Sequence, residues 1–286
     1  MENQTCKVWR VEANSSGTFL AAIELDSSIT SFDQLHDQLP RGAYTALRTY
    51  SGTKILHLEA HLARLQETAR LVGSQAVLEI QSVREAIRQV LHQKSEEYDL
   101  RIRMVWDLEE TPGDLYIAAL PLSSPPPEAY EGGVSVVVSS LQRELPRAKL
   151  THFSARADHV RQSLPSGVEE ALMVDLDGRI SEGLSSNFFA VKNGILWTAE
   201  KGVLPGTTSE LVLEFITRAG MNLYLEGVEV KELSNLEEAF LTSISRGILP
   251  VRQVEELQIG DGRPGEITKH LMADYWEFIA EELEEL

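Results

Sequence analysis

Glu170–Thr198 reads EALMVDLDGRISEGLSSNFFAVKNGILWT, apolar runs separated by two turn signals, Asp177-Gly178 and Asn193-Gly194. Both dipeptides favour the left-handed backbone of tight hairpins, so the stretch is expected to fold as a three-stranded meander. Its middle portion, Ile180-Ser181-Glu182-Gly183, places a carboxylate on a strand whose neighbours Ile180 and Phe188 are apolar. At a sheet edge Glu182 would stay in water, whereas burial would require a cationic partner.

Downstream, Leu204-Pro205-Gly206-Thr207-Thr208 turns into a helix. Thr207 and Glu210 have the spacing of a capping box, Leu211, Phe215, Ile216 and Ala219 form an apolar face, and Gly220 is the stop. Such a helix start offers free N–H groups, a positive dipole end and two hydroxyls, which suit a phosphate dianion. A capped helix after a Pro-Gly turn would carry the same residues with no ligand. Upstream, Pro146-Arg147-Ala148-Lys149-Leu150-Thr151-His152-Phe153 contains a lysine that is either an ordinary surface residue or a nucleophile.

The first half predicts strands at 18–25 and 43–50, the second followed by a turn at Ser51-Gly52. Leu58, Leu62, Leu65, Ala69 and Val72 then recur at steps of three and four, a helix ending at Gly73. A second helix is expected over 81–92, strands over 100–108 and 114–120, a β-rich run from Gly133 to Val138, and a closing helix over 266–286. Pro121-Leu122-Ser123-Ser124-Pro125-Pro126-Pro127 holds four of the 11 prolines and suits a semi-rigid linker. The expected domains are therefore 1–122 and 123–286.

Composition narrows the function. The chain has 286 residues, 43% hydrophobic and 24% charged, enough for two cores. Lys and Arg total 26 against 44 acids, and a formal charge of -18 disfavours nucleic acid and anionic membranes as partners. The single Cys6 can form no internal disulfide, and no Cys or His spacing suggests a metal site. The N-terminal MENQTCKVWRVEANSSG has no long apolar run, and no span of membrane length follows, so a cytoplasmic protein is expected.

Taken in order, these motifs resemble the class IV (fold type IV) pyridoxal-phosphate aminotransferases, the branched-chain and D-amino acid aminotransferase family that also includes aminodeoxychorismate lyases. The resemblance runs from about Gly42 to the C-terminus and is most specific over 169–189, Leu196-Trp197-Thr198 and Leu204-Pro205-Gly206. Tyr50-Ser51-Gly52, His61-Leu62-Ala63-Arg64-Leu65, 238–243, Leu249-Pro250-Val251 and Gly262-Arg263-Pro264-Gly265 support it. The resemblance implies an α+β homodimer with a small α/β N-terminal domain, a larger barrel-like C-terminal domain, and pyridoxal 5'-phosphate as cofactor. Lys149 would form the internal Schiff base and move the Cα proton, and Glu182 would pair with the pyridine nitrogen. Arg64, the Thr207 and Thr208 amides, Ser243 and Ser245 would hold the phosphate. Tyr44, Thr45 and Arg48 are the expected substrate-binding residues, in a wider set of carboxylate donors with Arg101, Arg103, Arg143 and Arg147.

Some positions depart from the family. Thr45 stands where many transaminases have glutamate and where the lyases favour threonine. Ser154 replaces a tyrosine usual five residues after the lysine, with His152 as a substitute donor, and Ser209 replaces an arginine after the phosphate turn. Leu39-Pro40-Arg41-Gly42 replaces a glycine-aspartate-glycine stretch. The acidic loop 106–113 lacks the Arg and His pattern of the D-amino acid enzymes. The expected activity is therefore transfer of an amino group from an amino acid or amine to a keto acid. The alternatives are a pyruvate-releasing lyase and a non-catalytic binding protein.

Overall fold

The computed structural model of the protein describes residues 6–15, 17–26, 28–93 and 98–286. Residues 1–5 and 16 of the N-terminal stretch read above lie outside them. From the N-terminus the chain forms β1 (Lys7–Asn14), β2 (Gly17–Ile23), β3 (Gly42–Tyr50), β4 (Lys54–Ile55), α1 (Leu58–Leu71), α2 (Ile80–His92), β5 (Leu100–Asp107) and β6 (Leu115–Pro121). It continues through α3 (Pro127–Gly132), β7 (Val134–Ser139), α4 (Thr151–Gln162), β8 (Val168–Val174), β9 (Ile180–Gly183), β10 (Asn187–Lys192) and β11 (Ile195–Thr198). The remaining elements are α5 (Thr207–Arg218), β12 (Leu223–Tyr224), β13 (Glu238–Ser243), β14 (Gly247–Val254), β15 (Leu257–Gln258), α6 (Glu266–Glu282) and β16 (Glu284–Glu285). Two compact units result: Met1–Ser123 with Ala148–Ala155 and Glu282–Leu286, and Ser124–Arg147 with Arg156–Glu281.

The first unit is a seven-stranded sheet in the order β16-β4-β3-β5-β6-β1-β2. Side chains alternate between its faces, and both faces are covered. Ala43, Leu47, Ile102, Met104, Trp106 and Ile117 pack against α1 and α2, whose stripes Leu58-Leu62-Leu65-Ala69 and Val83-Ala86-Ile87-Val90 are buried. Val8, Ala118 and Leu120 turn the other way, onto Ile29, Phe32 and Leu35. Helix α1 stops where expected, with Gly73 at φ 77 and the Ser74 N–H returning to the Ala69 carbonyl. Strand β1 was not foreseen, because Lys7, Arg10 and Glu12 mask its pattern.

The second unit contains a closed barrel. Its sheet follows β12-β11-β10-β13-β14-β7-β8-β9, and a further β9–β10 pairing joins the path into a ring of β10, β13, β14, β7, β8 and β9. Val136, Leu172, Phe188, Leu241, Leu249 and Val251 share one core. Strands β7 and β8 are parallel, so a crossover must connect them, and that crossover carries Lys149 and α4.

Three expectations need correction. The meander has four strands, β8 to β11, because the chain also reverses at Leu184–Ser186, where the Gly183 N–H bonds the Ser186 carbonyl at 2.8 Å. No capping box forms at Thr207, because the N-cap is Gly206, one residue earlier, and it has no side chain. The closing helix ends at Glu282, and the tail becomes β16, paired with β4. No helix among the described residues is long and apolar enough to cross a membrane.

Candidate active site

In the first unit, the Lys149 segment extends the sheet edge at the start of β3. The Tyr44 N–H donates to the Lys149 carbonyl at 2.9 Å, Ala43 bridges to Leu150, and the Lys149 N–H donates to Thr68 Oγ1 at 3.1 Å. Three backbone ties thus fix the lysine, whose Nζ lies 5.2 Å from the centroid of the Tyr44 ring. Arg103 Cζ lies 4.8 Å from the same centroid.

Strand alternation separates the three expected substrate residues. Tyr44 and Arg48 share the face that meets Phe32, and Thr45 turns toward α1, where its Oγ1 lies 3.0 Å from His61 Nδ1. His61 is 1% exposed, and its Nε2 has no partner among the described residues. Burial, then the positive charges of Arg64 and Lys149, hold its pKa well below the usual histidine range, so it is neutral. His61, Arg64 and Thr68, spaced three and four residues apart, present one side of α1, whose N-cap is His57.

The arginine candidates also separate. Arg48 ion-pairs with Asp99 at 3.4 Å and stacks over Tyr50. Arg143 is engaged with Glu182, and Arg147 is exposed. Arg103 is 6% exposed and meets neutral groups: Nη2 donates to Ser154 Oγ at 2.9 Å, Nη1 to the Phe32 carbonyl at 3.3 Å, with the Phe32 and Tyr44 rings alongside. Ser154, standing where the family has tyrosine, thus anchors an arginine, and His152 is exposed.

In the second unit, Glu182, Asn187 and Thr242 lie directly opposite one another across β9, β10 and β13, in one cross-strand row. Glu182 is 2% exposed; Arg143 Nε donates to its Oε1 at 2.6 Å and the Leu204 N–H to its Oε2 at 3.2 Å. Asn187 Nδ2 donates to the Leu204 carbonyl at 2.9 Å. The row therefore grips Leu204 by both backbone groups and fixes the turn from which α5 starts. The first amides of α5, from Thr207 on, have no intrahelical acceptor, and Thr208 is buried beside them. Thr242 Oγ1 is buried with no partner among the described residues. Ser243 Oγ accepts from Arg246 Nε at 3.0 Å.

Two of these relationships had no local signal in the sequence. Arg143 is 39 residues from Glu182, and Arg103 is 51 residues from Ser154. Only the demand for a cation beside a buried Glu182 pointed toward the first.

A seven-stranded unit followed by a closed barrel whose crossover carries a lysine defines the two-domain fold of the fold-type IV enzymes. The chain belongs to the class IV amino-transferases: the family's model matches residues 42–254. It is 26% identical over 258 residues to a branched-chain-amino-acid aminotransferase of Pseudomonas aeruginosa, covering 84% of each chain. It is 27% identical over 255 residues to that of Escherichia coli K12, covering 83% of this chain and 82% of the relative. A T.th. branched-chain amino acid aminotransferase, solved with pyridoxamine 5'-phosphate, shares the fold at a TM-score of 0.77 and 20% identity, over 99% of this chain and 98% of that one. The family depends on pyridoxal phosphate, and both curated relatives are aminotransferases by name, which favours transamination over the pyruvate-releasing lyase and the non-catalytic binder.

Proposed function

We propose that this chain uses pyridoxal 5'-phosphate to transfer an amino group from an amino acid to a keto acid, with Lys149 as the reacting lysine. The observation that carries this reading is the setting of Lys149, fixed on both backbone sides with its amine over the Tyr44 ring. The other donors and acceptors suit the cofactor's parts: a buried carboxylate at Glu182 for a ring nitrogen, and Arg64, the Thr207 and Thr208 amides, Ser243 and Ser245 for a phosphate. When bound, the cofactor supplies an aldehyde that condenses with amines and a ring that accepts the electron pair left at Cα.

Lys149 Nζ takes the Cα proton and returns it. Tyr44 forms the wall between Lys149 and Arg103, and the Thr45 hydroxyl is oriented by His61. Arg103, rather than Arg48, receives the substrate carboxylate, because its hydrogen-bond partners are neutral and Arg48 is engaged with Asp99. The relatives' names suggest a branched-chain amino acid as donor. The same reading includes a homodimer, domains at 1–122 and 123–286, and a reducing cytoplasm suited to a buried Cys6 thiol whose pKa burial pushes up to about 12.

The test is a visible absorption titration with pyridoxal phosphate, followed by a panel of L-amino acids, D-amino acids and amines. The expected band requires Lys149, is lost with a branched-chain L-amino acid and returns with a keto acid. Activity surviving in Lys149→Ala, or pyruvate released with no acceptor present, would overturn the assignment.

A further inference from the structure

Glu170 on β8 and Arg246 in the β13–β14 turn form a buried cluster that the proposed chemistry leaves unused. Glu170 is 1% exposed and accepts from the Ser185 N–H at 2.6 Å, Ser185 Oγ at 3.0 Å and Ser186 Oγ at 2.9 Å, as well as from Arg246 Nη2. Burial opposes its charge, but Arg246, Arg161 and these donors prevail and hold its pKa below the usual glutamate range. The other nitrogens of Arg246 reach Glu169 Oε1 at 3.1 Å and Ser243 Oγ at 3.0 Å. The cluster abuts the strand of Glu182: a Cβ at Gly183 would lie 2.3 Å from Ser186 Oγ and 3.1 Å from Glu170 Cδ.

One guanidinium therefore ties the β9–β10 turn, which follows Glu182, to the β13–β14 turn, which begins at Ser243. It also decides what the Ser243 hydroxyl can do. That oxygen accepts from Arg246 Nε–H, so its own proton must point away from the guanidinium. Ser243 is half-buried, and a hydroxyl polarised in this way is set to donate to an anion.

We infer that Arg246, anchored by Glu170, is a positioning residue that fixes Ser243 as a hydrogen-bond donor to the phosphate of the cofactor. The inference rests on the reading above that Ser243 belongs to the phosphate cradle. Arg246 itself does not touch the ligand, because its three nitrogens are occupied by Glu169, Glu170 and Ser243.

The test compares equilibrium binding of pyridoxal phosphate with that of pyridoxal, which lacks the phosphate. The proteins are wild type, Ser243→Ala, Arg246→Lys, the Ser243→Ala/Arg246→Lys double variant and the Glu170→Gln/Arg246→Met pair. Lysine keeps the charge but cannot reproduce the three-armed geometry, and the Gln/Met pair removes both buried charges together, which preserves folding. Each variant is expected to bind pyridoxal phosphate about 10- to 100-fold more weakly, the loss of one hydrogen bond to a charged group, with pyridoxal affinity changed less than about twofold. The Ser243→Ala/Arg246→Lys double variant should lose no more than Ser243→Ala, since both act through one hydroxyl. Variants that keep the wild-type preference for pyridoxal phosphate, or weaken both ligands equally, would overturn the inference and leave the proposed function standing. A wild type with no preference for the phosphorylated ligand would overturn the cradle and the inference with it.

Discussion

Arg143 Nε donates to Glu182 Oε1 across 2.6 Å, and the two side chains are only 4% and 3% exposed. The sequence required a cation for Glu182 if that residue was buried, and the structure supplies one from the loop preceding Lys149. A pair so enclosed has given up its hydration on both sides. Its geometry decides whether the carboxylate can serve as a fixed acceptor.

Arg143→Met is expected to lower folding stability by about 3–5 kcal/mol, measured by urea unfolding, because it leaves Glu182 buried without its guanidinium. Glu182→Gln/Arg143→Met should regain most of that stability yet lack cofactor-dependent activity, since the negative charge proposed to hold the ring nitrogen protonated is lost. A single variant as stable as wild type would show that the pair does not form in solution.

His61 gives stability a distinct pH dependence. Its folded pKa is depressed, so the folded chain stays neutral at His61 while the unfolded chain binds a proton below about pH 6.5, the ordinary histidine value. Its contribution is full above that pH and falls by up to about 1.4 kcal/mol per pH unit below it. Glu170, also depressed, adds its own loss only below its ordinary value of 4.5. Urea unfolding from pH 7 to pH 5 should therefore show a slope that His61→Gln removes; an unchanged slope would exclude His61 as its source.

Features set by local chemistry were legible in the sequence. The Asn193-Gly194 turn has both residues at positive φ, and the glycine stops after α1 and α5 fall at Gly73 and Gly220. Helix α4 escaped notice because its buried face mixes Phe153 and Ala157 with Ser154 and Asp158, leaving little apolar periodicity. Strand β16 escaped because Glu284 and Glu285 have no strand preference of their own; they pair with an edge that β4 provides. The motifs that make Lys149 and Glu182 candidates are legible in the sequence, whereas the guanidinium partners of Ser154 and Glu182 come from distant segments, where spacing carries no signal.

Glu284 also caps a helix from outside it. Its Oε1 accepts the Leu58 N–H at 3.0 Å, the first amide of α1, whose N-cap His57 makes no side-chain cap bond, and its Oε2 faces Arg84 at 3.4 Å. Glu284→Ala should cost about 1 kcal/mol, the usual value of a lost cap, with faster amide exchange confined to the first turn of α1. Unchanged exchange at Leu58–His61 would show that the contact does not cap the helix.

Gly206 is required by crowding rather than by backbone conformation. Its φ of -84 is open to any residue, but a Cβ there would lie 2.2 Å from Asn187 Oδ1. Asn187 cannot withdraw freely, because its Nδ2 holds the Leu204 carbonyl at 2.9 Å. Gly206→Ala is therefore expected to cost about 1–3 kcal/mol from overpacking and to displace the start of α5, with weaker phosphate binding as the second readout. Asn187→Ala removes the clashing oxygen together with the Leu204 tether. The double variant should consequently be more stable than the sum of the two single losses predicts. Strictly additive losses in thermal unfolding would show that the two side chains do not compete for that space.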